Sequence, residues 1–254
     1  DDIAGTVDSI ARLTPQLLYS CTRAFYAPSN MVLSVAGKIT MEQAVDACRR
    51  NGLYRKRAPH TVEWDIPAET GPIPRREARL TMPVNKPCFG VGYREPVLDS
   101  GDLKRRLLLD MLGDLVAGGL TGLYRRLYDG GLVNPEFSGD FIAVRGACAV
   151  AFTGESDTPR QVADMLQAEI ERLRREGVDP EVFTLVKNQL YGELLGEVES
   201  VEDAAEDAAA ACLRGCSLAD EIAALAELTV EDADALMQTA LLEENRAYVQ
   251  IDPQ

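Results

Sequence analysis

Cysteine and histidine side chains are the first candidates for chemistry in this sequence. Cys212 and Cys216 form a Cys-x₃-Cys pair, and a zinc site there needs two further ligands. The sole histidine, His60, is far away in sequence in a polar loop, so the ligand count argues against a metal site. A catalytic triad also needs a placed imidazole. We therefore interpret His60 as a solvated loop residue.

Two further patterns have both a chemical and a structural interpretation. Gly118-Gly119 precedes a predicted helix, where backbone N–H groups could bind an anion, but we favour a helix break in a tight corner. A run of carboxylates is either a site for a hard cation or, as we favour, a solvated helix face. Its members are Glu197, Glu199, Glu202, Asp203, Glu206 and Asp207.

Composition narrows the classes of function. The chain has 254 residues, of which 46% are hydrophobic, and this is enough to bury a core. A net charge of −15 argues against a nucleic-acid partner and against an anionic membrane surface. The sequence shows no membrane-length apolar run and no signal peptide. We expect a cytoplasmic protein with buried, reduced cysteines, and the missing initiator methionine indicates a fragment or a processed product.

The first part of the chain contains too few elements for a complete domain. Thr14 and Pro15 predict the start of a helix over residues 14–26. The β-branched run from Asn30 to Ala36 predicts a buried strand, and Thr40 caps a second helix that ends at Gly52. We assign residues 1–53 to the tail of an upstream catalytic-type domain. The proline-rich residues 54–75 follow as a linker.

Residues 76–254 form a second, larger domain. Its predicted order is two strands, two helices, two strands, a series of helices and a closing strand at Arg246–Ile251. This order predicts an α+β fold in which an antiparallel-rich sheet carries helices on one face. We expect Arg125 and Arg126, in the second helix, to be solvated helix charges.

Three motifs follow one another near the N-terminus: Gly5-Thr6-Val7-Asp8-Ser9-Ile10, Phe25-Tyr26-Ala27-Pro28-Ser29-Asn30-Met31 and Val32-Leu33-Ser34-Val35-Ala36-Gly37. This ordered set resembles the pitrilysin/insulinase family of zinc metallopeptidases, the M16-type inverzincins. In that family, this run closes the first domain. The resemblance extends over essentially the whole chain, and it implies the metallohydrolase fold of processing peptidases with a second, non-zinc domain.

The resemblance also implies which functional residues are missing. The family's zinc site is His-x-x-Glu-His with a distant glutamate, and a chain with one histidine cannot form it. We therefore expect no metal site here and expect zinc in an upstream domain. The family's second domain usually supplies an Arg and a Tyr to the substrate. Tyr128 stands at the Arg position and Asn134 near the Tyr position, so we name no catalytic residue.

Three functions remain open at this level. The first is the C-terminal part of a zinc metallopeptidase, inactive alone, which encloses a peptide together with an upstream catalytic domain and a homologous partner chain or a second copy. The second is a non-catalytic scaffold or regulatory subunit of a peptidase-like heterodimer. The third is a binding module that adds a peptide strand to an exposed sheet edge.

Overall fold

The structure is a computed structural model of the 254-residue chain and describes residues 4–52, 71–99, 101–196 and 199–254. The chain divides into two compact units, which we describe separately. Unit 1 comprises Asp1–Asp65 with Val198–Gly215, and unit 2 comprises Ile66–Glu197 with Cys216–Gln254. The predicted division into residues 1–53, 54–75 and 76–254 stays a prediction. His60 and most of the predicted linker lie outside the described residues.

The helices and strands of the larger domain follow one another in the order that the sequence predicts. In the described ranges the helices are α1 (Val7–Ala11), α2 (Pro15–Phe25), α3 (Met41–Arg50), α4 (Leu103–Ala117), α5 (Gly122–Asp129), α6 (Pro159–Glu176), α7 (Pro180–Gly196), α8 (Val201–Arg214), α9 (Leu218–Glu227) and α10 (Val230–Met237). The strands are β1 (Glu77–Met82), β2 (Cys88–Glu95), β3 (Ser138–Val144), β4 (Ala147–Glu155) and β5 (Arg246–Pro253).

The strands of unit 2 form one mixed sheet in the order β1-β5-β2-β4-β3. The closing strand β5 lies between β1 and β2 and runs parallel to β1. The pairs β2/β5, β2/β4 and β3/β4 are antiparallel. The predicted α+β fold with an antiparallel-rich sheet is therefore confirmed, although the single parallel pair was not predicted.

One face of the sheet is covered by helices and forms the core. Phe89, Val91 and Tyr93 alternate along β2 and point into it, where they pack with the buried side of α4 and α6. Each fully buried Leu or Phe in such a core contributes about 1.5–3 kcal/mol to the free energy of unfolding.

No helix in the described ranges alone meets the length and hydropathy criteria for a bilayer span. The helices α4 and α5 meet them only as a pair that is bent by 46°.

In unit 1, the predicted strand Asn30–Ala36 is wrong. The structure has a 3₁₀ turn at Pro28–Asn30, and residues 31–36 have no strand. Met31 has extended angles (φ −129°, ψ 146°), but no strand of unit 1 lies beside it in the described part of the chain. A strand requires a partner for its hydrogen bonds, so β-branched residues alone produce only an extended backbone.

The start of α2 agrees with the prediction. The Thr14 hydroxyl accepts the Leu17 N–H at 3.2 Å, and Pro15 occupies the first turn. No residue of α2 is buried, and its apolar Leu17, Leu18 and Phe25 are exposed. An amphipathic helix of this kind normally buries its apolar face.

Two charged side chains hold the turn that follows α10. The helix ends at Met237, and Leu241 adopts a left-handed backbone with φ +52°. The Arg174 guanidinium donates to the carbonyl oxygens of Met237 and Ala240, each at 3.0 Å. The buried carboxylate of Glu95 accepts the Leu241 N–H at 2.8 Å. These two side chains satisfy the turn's backbone groups and hold its unfavourable conformation.

Candidate functional site

The second face of the sheet lies outside the helix-covered core and carries mostly small, apolar side chains. We call it the open face. Alternation along the paired strands assigns the following residues to it. They are Ala78, Leu80 and Met82 on β1, Ala247, Val249 and Ile251 on β5, Cys88, Gly90, Gly92 and Arg94 on β2, Ala147, Ala149, Ala151 and Thr153 on β4, and Ser138, Asp140, Ile142 and Val144 on β3.

A cavity of about 300 Å³ lies on the open face. Its lining includes Gly92, Ala149 and Ala247 from three adjacent strands, with Ile142 and Val144 from β3. A Cβ at Gly92 would meet no atom within 4 Å, so the missing side chain leaves space there. The lining is mainly apolar and the volume is at the small end of ligand sites, which suits an apolar side chain.

Arg94 connects the cavity to the segment that precedes β1. Its guanidinium donates to the carbonyl oxygen of Gly71, and Ile73 and Pro74 of the same segment line the cavity. The positive φ of Gly71, +106°, is a conformation that other residues rarely adopt. The Arg94–Gly71 hydrogen bond therefore positions this segment beside the sheet.

The cysteines only partly match the expectation of buried thiols. In the described ranges all six are free; Cys148 is buried, whereas Cys21 and Cys212 are exposed. The expectation that they are generally buried is therefore wrong, because helix periodicity identifies an apolar face but not whether that face is covered. The Cys216 thiol lies 3.5 Å from Glu221, a buried carboxylate.

Gly118-Gly119 forms a helix break. The Thr121 hydroxyl donates to the Gly118 carbonyl at 2.8 Å and accepts the Tyr124 N–H at 3.1 Å. The Thr121 side chain caps the N-terminus of α5 and thus takes the place where an anion would bind. A Cβ at Gly118 would lie 2.7 Å from the Asp114 carbonyl oxygen, so a larger residue does not fit the corner.

The α5 residues named in the sequence analysis are Tyr128, Arg126 and Arg125. Tyr128 stacks on Tyr124 with ring centroids 5.8 Å apart. The Arg126 side chain is 56% exposed, as expected for a solvated helix charge, and it also donates to Glu169 at 2.9 Å. Arg125 is exposed.

Asn134 connects the loop after α5 to β4. Its side-chain amide donates to Glu155 at 3.2 Å, while its Oδ1 accepts the Glu136 N–H at the same distance. Both contacts are those of a residue that fixes a loop.

The acidic run belongs largely to α8. Ser200 caps this helix, and Glu202 and Asp203 lie in its first turn, where the helix dipole favours negative charge. Asp207 pairs with Arg214 at 3.3 Å. Glu197 lies outside the described residues. These contacts give several carboxylates of the run a structural role.

Three buried carboxylates in the described ranges were missed, namely Glu95, Glu169 and Glu221. Glu169 accepts from Arg126 and Arg172; burial raises its pKa, but these hydrogen bonds outweigh burial and the net pKa is lowered. Burial raises the pKa of Glu95, against the opposing effects of the Leu241 N–H and of Arg105. A sequence signal existed, because Glu95 continues the core alternation of β2 and Glu169 lies in the apolar stripe of α6.

The sequence and the fold of this chain correspond to those of known proteins. The chain is 28% identical to an uncharacterized zinc protease, YmfH, from Bacillus subtilis over 99% of its own length and 60% of that protein. A protein described as an M16-like peptidase from Alicyclobacillus acidocaldarius matches with a TM-score of 0.90 and 28% identity, over 100% of this chain and 61% of that one. A protease from Helicobacter pylori shares the fold (TM-score 0.75, 17% identity, 98% and 62% coverage).

These similarities define a domain of the zinc-peptidase class. A family model described as the Peptidase M16 inactive domain matches residues 12–190, and the chain belongs to this family. The predicted M16-type family is thus confirmed. The chain spans about 60% of the length of the YmfH relative.

The residues of this chain do not fit the zinc centre that the family name implies. The sequence holds one histidine, whereas His-x-x-Glu-His requires two. In the described ranges, no group of three or more His, Cys, Asp and Glu side chains is arranged to hold a metal ion. We therefore derive no catalytic step through zinc from this chain's residues.

Proposed function

We propose that this chain is the non-catalytic part of a zinc metallopeptidase and that its open face helps to enclose a peptide substrate. The observation that carries the proposal is the open face itself, an apolar sheet surface of small residues with a cavity of about 300 Å³. Small side chains leave room for an extended peptide above a sheet. Zinc and the residues that activate water belong, in this proposal, to an upstream domain.

Unit 1 supports the existence of a covering domain. The apolar residues of α2 and of the extended segment after it, Leu17, Phe25, Met31, Leu33 and Val35, are exposed. Contiguous exposed apolar surface is typical of a protein interface. We propose that residues 1–53 complete the upstream catalytic domain, whose sheet would give residues 31–36 a strand partner.

Zinc content tests this proposal. The purified chain, dialysed against metal-free buffer, is expected to retain no stoichiometric zinc by elemental analysis. The natural protein with its upstream domain is expected to retain one zinc ion per molecule. Retention of stoichiometric zinc by the chain alone would contradict the proposal.

A non-catalytic scaffold is the second candidate. Tyr128 and Asn134 stand where the family resemblance leads us to expect a substrate-contacting Arg and Tyr, and both have structural contacts instead. Sequencing the region upstream of Asp1 separates the two candidates. An intact His-x-x-Glu-His motif supports the peptidase, and a degraded motif supports the scaffold.

A further inference from the structure

We propose that the cavity on the open face of unit 2 binds the C-terminal residue of a peptide. The apolar side chain of that residue would enter the cavity, and its terminal carboxylate would bind Arg94. This inference rests on the proposed function, because it specifies which end of a substrate peptide the open face holds. It also names a substrate class, namely peptides that end in an apolar residue with a free carboxylate.

Arg94 supplies the positive charge of this cavity. Among the described residues of the lining, it is the only one with a charged side chain. In the described ranges its guanidinium donates to the Gly71 carbonyl oxygen and takes part in no ion pair. A guanidinium has five N–H donors, so further donors remain for a ligand. An arginine beside an apolar cavity is complementary to a carboxylate, which it can bind through two parallel hydrogen bonds.

The other polar side chains of the lining leave this role to Arg94. The Tyr93 hydroxyl donates to Gln167 at 2.7 Å on the helix-covered side of the sheet, and Cys148 is buried. Asn245 is partly exposed and carries a neutral amide, which can donate to a peptide carbonyl. The remaining described residues of the lining are apolar. The cavity therefore offers one cation and one amide in apolar surroundings.

The spacing along β2 suits a ligand that carries an acid and an apolar group close together. Gly92 and Arg94 lie on the same face of β2, two residues or about 6.6 Å apart. Gly92 leaves space above the sheet, and Ile142 and Val144, which are 49% and 61% exposed, line that space. A volume of about 300 Å³ suits one side chain rather than a whole peptide. A C-terminal residue carries both groups on one Cα.

The charge of the chain favours a peptide over a free aliphatic acid. A net charge of −15 repels a small anion, whereas neutral or basic residues of a peptide can offset its terminal charge. An internal peptide segment lacks the terminal carboxylate, and an aspartate or glutamate side chain lacks the apolar group. The peptide backbone would leave the cavity over the small residues Ala149 and Ala151 of the open face. The occupant is therefore a peptide C-terminus.

Fluorescence anisotropy of the full chain with two labelled peptides tests the proposal. Both have the sequence Gly-Thr-Gly-Ala-Thr-Leu, and one ends in a free acid and the other in an amide. The acid is expected to bind about tenfold or more tightly, because hydrogen bonds between charged partners are the stronger ones. The net charge of −15 acts in the opposite direction, since it disfavours the acid. Equal affinities, tighter binding of the amide, or no saturable binding of the acid would overturn the proposal.

Arg94→Gln is expected to remove the preference for the acid. Arg175→Gln is the matched control, because it removes the charge of an exposed arginine on α6, and the preference should persist. The readout is the ratio of the two affinities, since Arg94 also contacts Gly71. A displaced Gly71 segment alone would weaken both peptides alike and leave the ratio unchanged. A preserved ratio in Arg94→Gln would therefore contradict the role of Arg94.

The cavity has its own readout. Replacing the C-terminal leucine of the peptide by glycine is expected to weaken binding by about tenfold or more. Gly92→Leu fills the cavity and should abolish the advantage of leucine. Gly119→Leu is the control, since a Cβ there also meets no atom within 4 Å and Gly119 does not line the cavity. An undiminished leucine advantage in Gly92→Leu would refute the assignment. So would 4-methylpentanoate that binds as tightly as the peptide, because that result assigns the cavity to a free acid.

These outcomes are separable from those of the proposed function. Loss of the acid preference in a chain that retains no zinc removes this inference alone. Zinc retention by the isolated chain removes the proposed function, whatever the peptides do.

Discussion

Gly113 of α4 and Gly139 of β3 pack backbone against backbone. A Cβ at Gly113 would lie 1.8 Å from the Gly139 carbonyl oxygen. A Cβ at Gly139 would lie 2.5 Å from the Phe152 ring and 2.9 Å from the Gly113 Cα. The helix α4 therefore rests directly on β3, the strand at the edge of the sheet.

Gly113→Ala is expected to destabilise the fold. The added methyl group meets a carbonyl oxygen rather than a flexible side chain, so backbone must shift, at a cost of about 1–3 kcal/mol in unfolding free energy. Gly119→Ala is the control, since a Cβ there meets no atom within 4 Å. Urea denaturation of both variants provides the measurement. Equal stabilities of the two would show that the Gly113–Gly139 contact is not tight.

Glu169→Gln is expected to loosen the attachment of α5 to α6. The Glu169 side chain is 7% exposed and binds Arg126 at 2.9 Å and Arg172 at 2.8 Å, whereas the two arginine side chains are 56% and 41% exposed. The loss should therefore be modest, about 1 kcal/mol. Glu171→Gln, an exposed neighbour in the same helix, should change little.

The pH dependence of this effect has a defined sign. The folded-state pKa of Glu169 is lowered overall, since the hydrogen bonds from Arg172 and Arg126 outweigh burial. Its stabilising contribution is present above the unfolded-state pKa and is lost as pH falls through the folded-state value. Chemical denaturation at neutral and acidic pH should show the wild type and Glu169→Gln converging in acid. A constant difference would contradict the assignment.

Glu95 is expected to show the opposite pH dependence. Burial raises its folded-state pKa, so the folded protein binds this proton more tightly than the unfolded chain does. The unfolding free energy of the wild type relative to Glu95→Gln should therefore rise as pH falls through the raised pKa. Glutamine keeps an oxygen that can accept the Leu241 N–H, which limits the change to charge.

Glu77→Gln provides a control of the opposite sign. The hydrogen bond from Arg160 lowers the pKa of Glu77, so the wild type should lose its advantage over this variant in acid. Parallel curves for Glu95→Gln and Glu77→Gln would refute the account of the buried carboxylate.

Elements with a local signal were predictable from the sequence. Thr14 with Pro15 located the start of α2, and the predicted order of strands and helices after the linker matches the observed order. The strand order was not predictable, because the parallel pairing of β1 with β5 joins residues at opposite ends of unit 2. The predicted strand at residues 30–36 was wrong because its partner is not among the described residues of unit 1.

The open face was not predictable for a different reason. Alternation along β2 separates Phe89, Val91 and Tyr93 from Gly90 and Gly92, but both sets are apolar or neutral. Periodicity of two identifies two faces without saying which one the helices cover. The Arg126–Glu169 pair joins residues 43 positions apart, so a single sequence gives no sign of it.

Peptide hydrolysis by separated and recombined domains tests the central claim most directly. The upstream domain, this 254-residue chain and their mixture would each be incubated with a quenched fluorescent peptide. The account predicts no hydrolysis by this chain, little by the upstream domain alone, and hydrolysis by the mixture that a zinc chelator abolishes. Chelator-sensitive hydrolysis by this chain alone, or full activity of the upstream domain without it, would contradict the account.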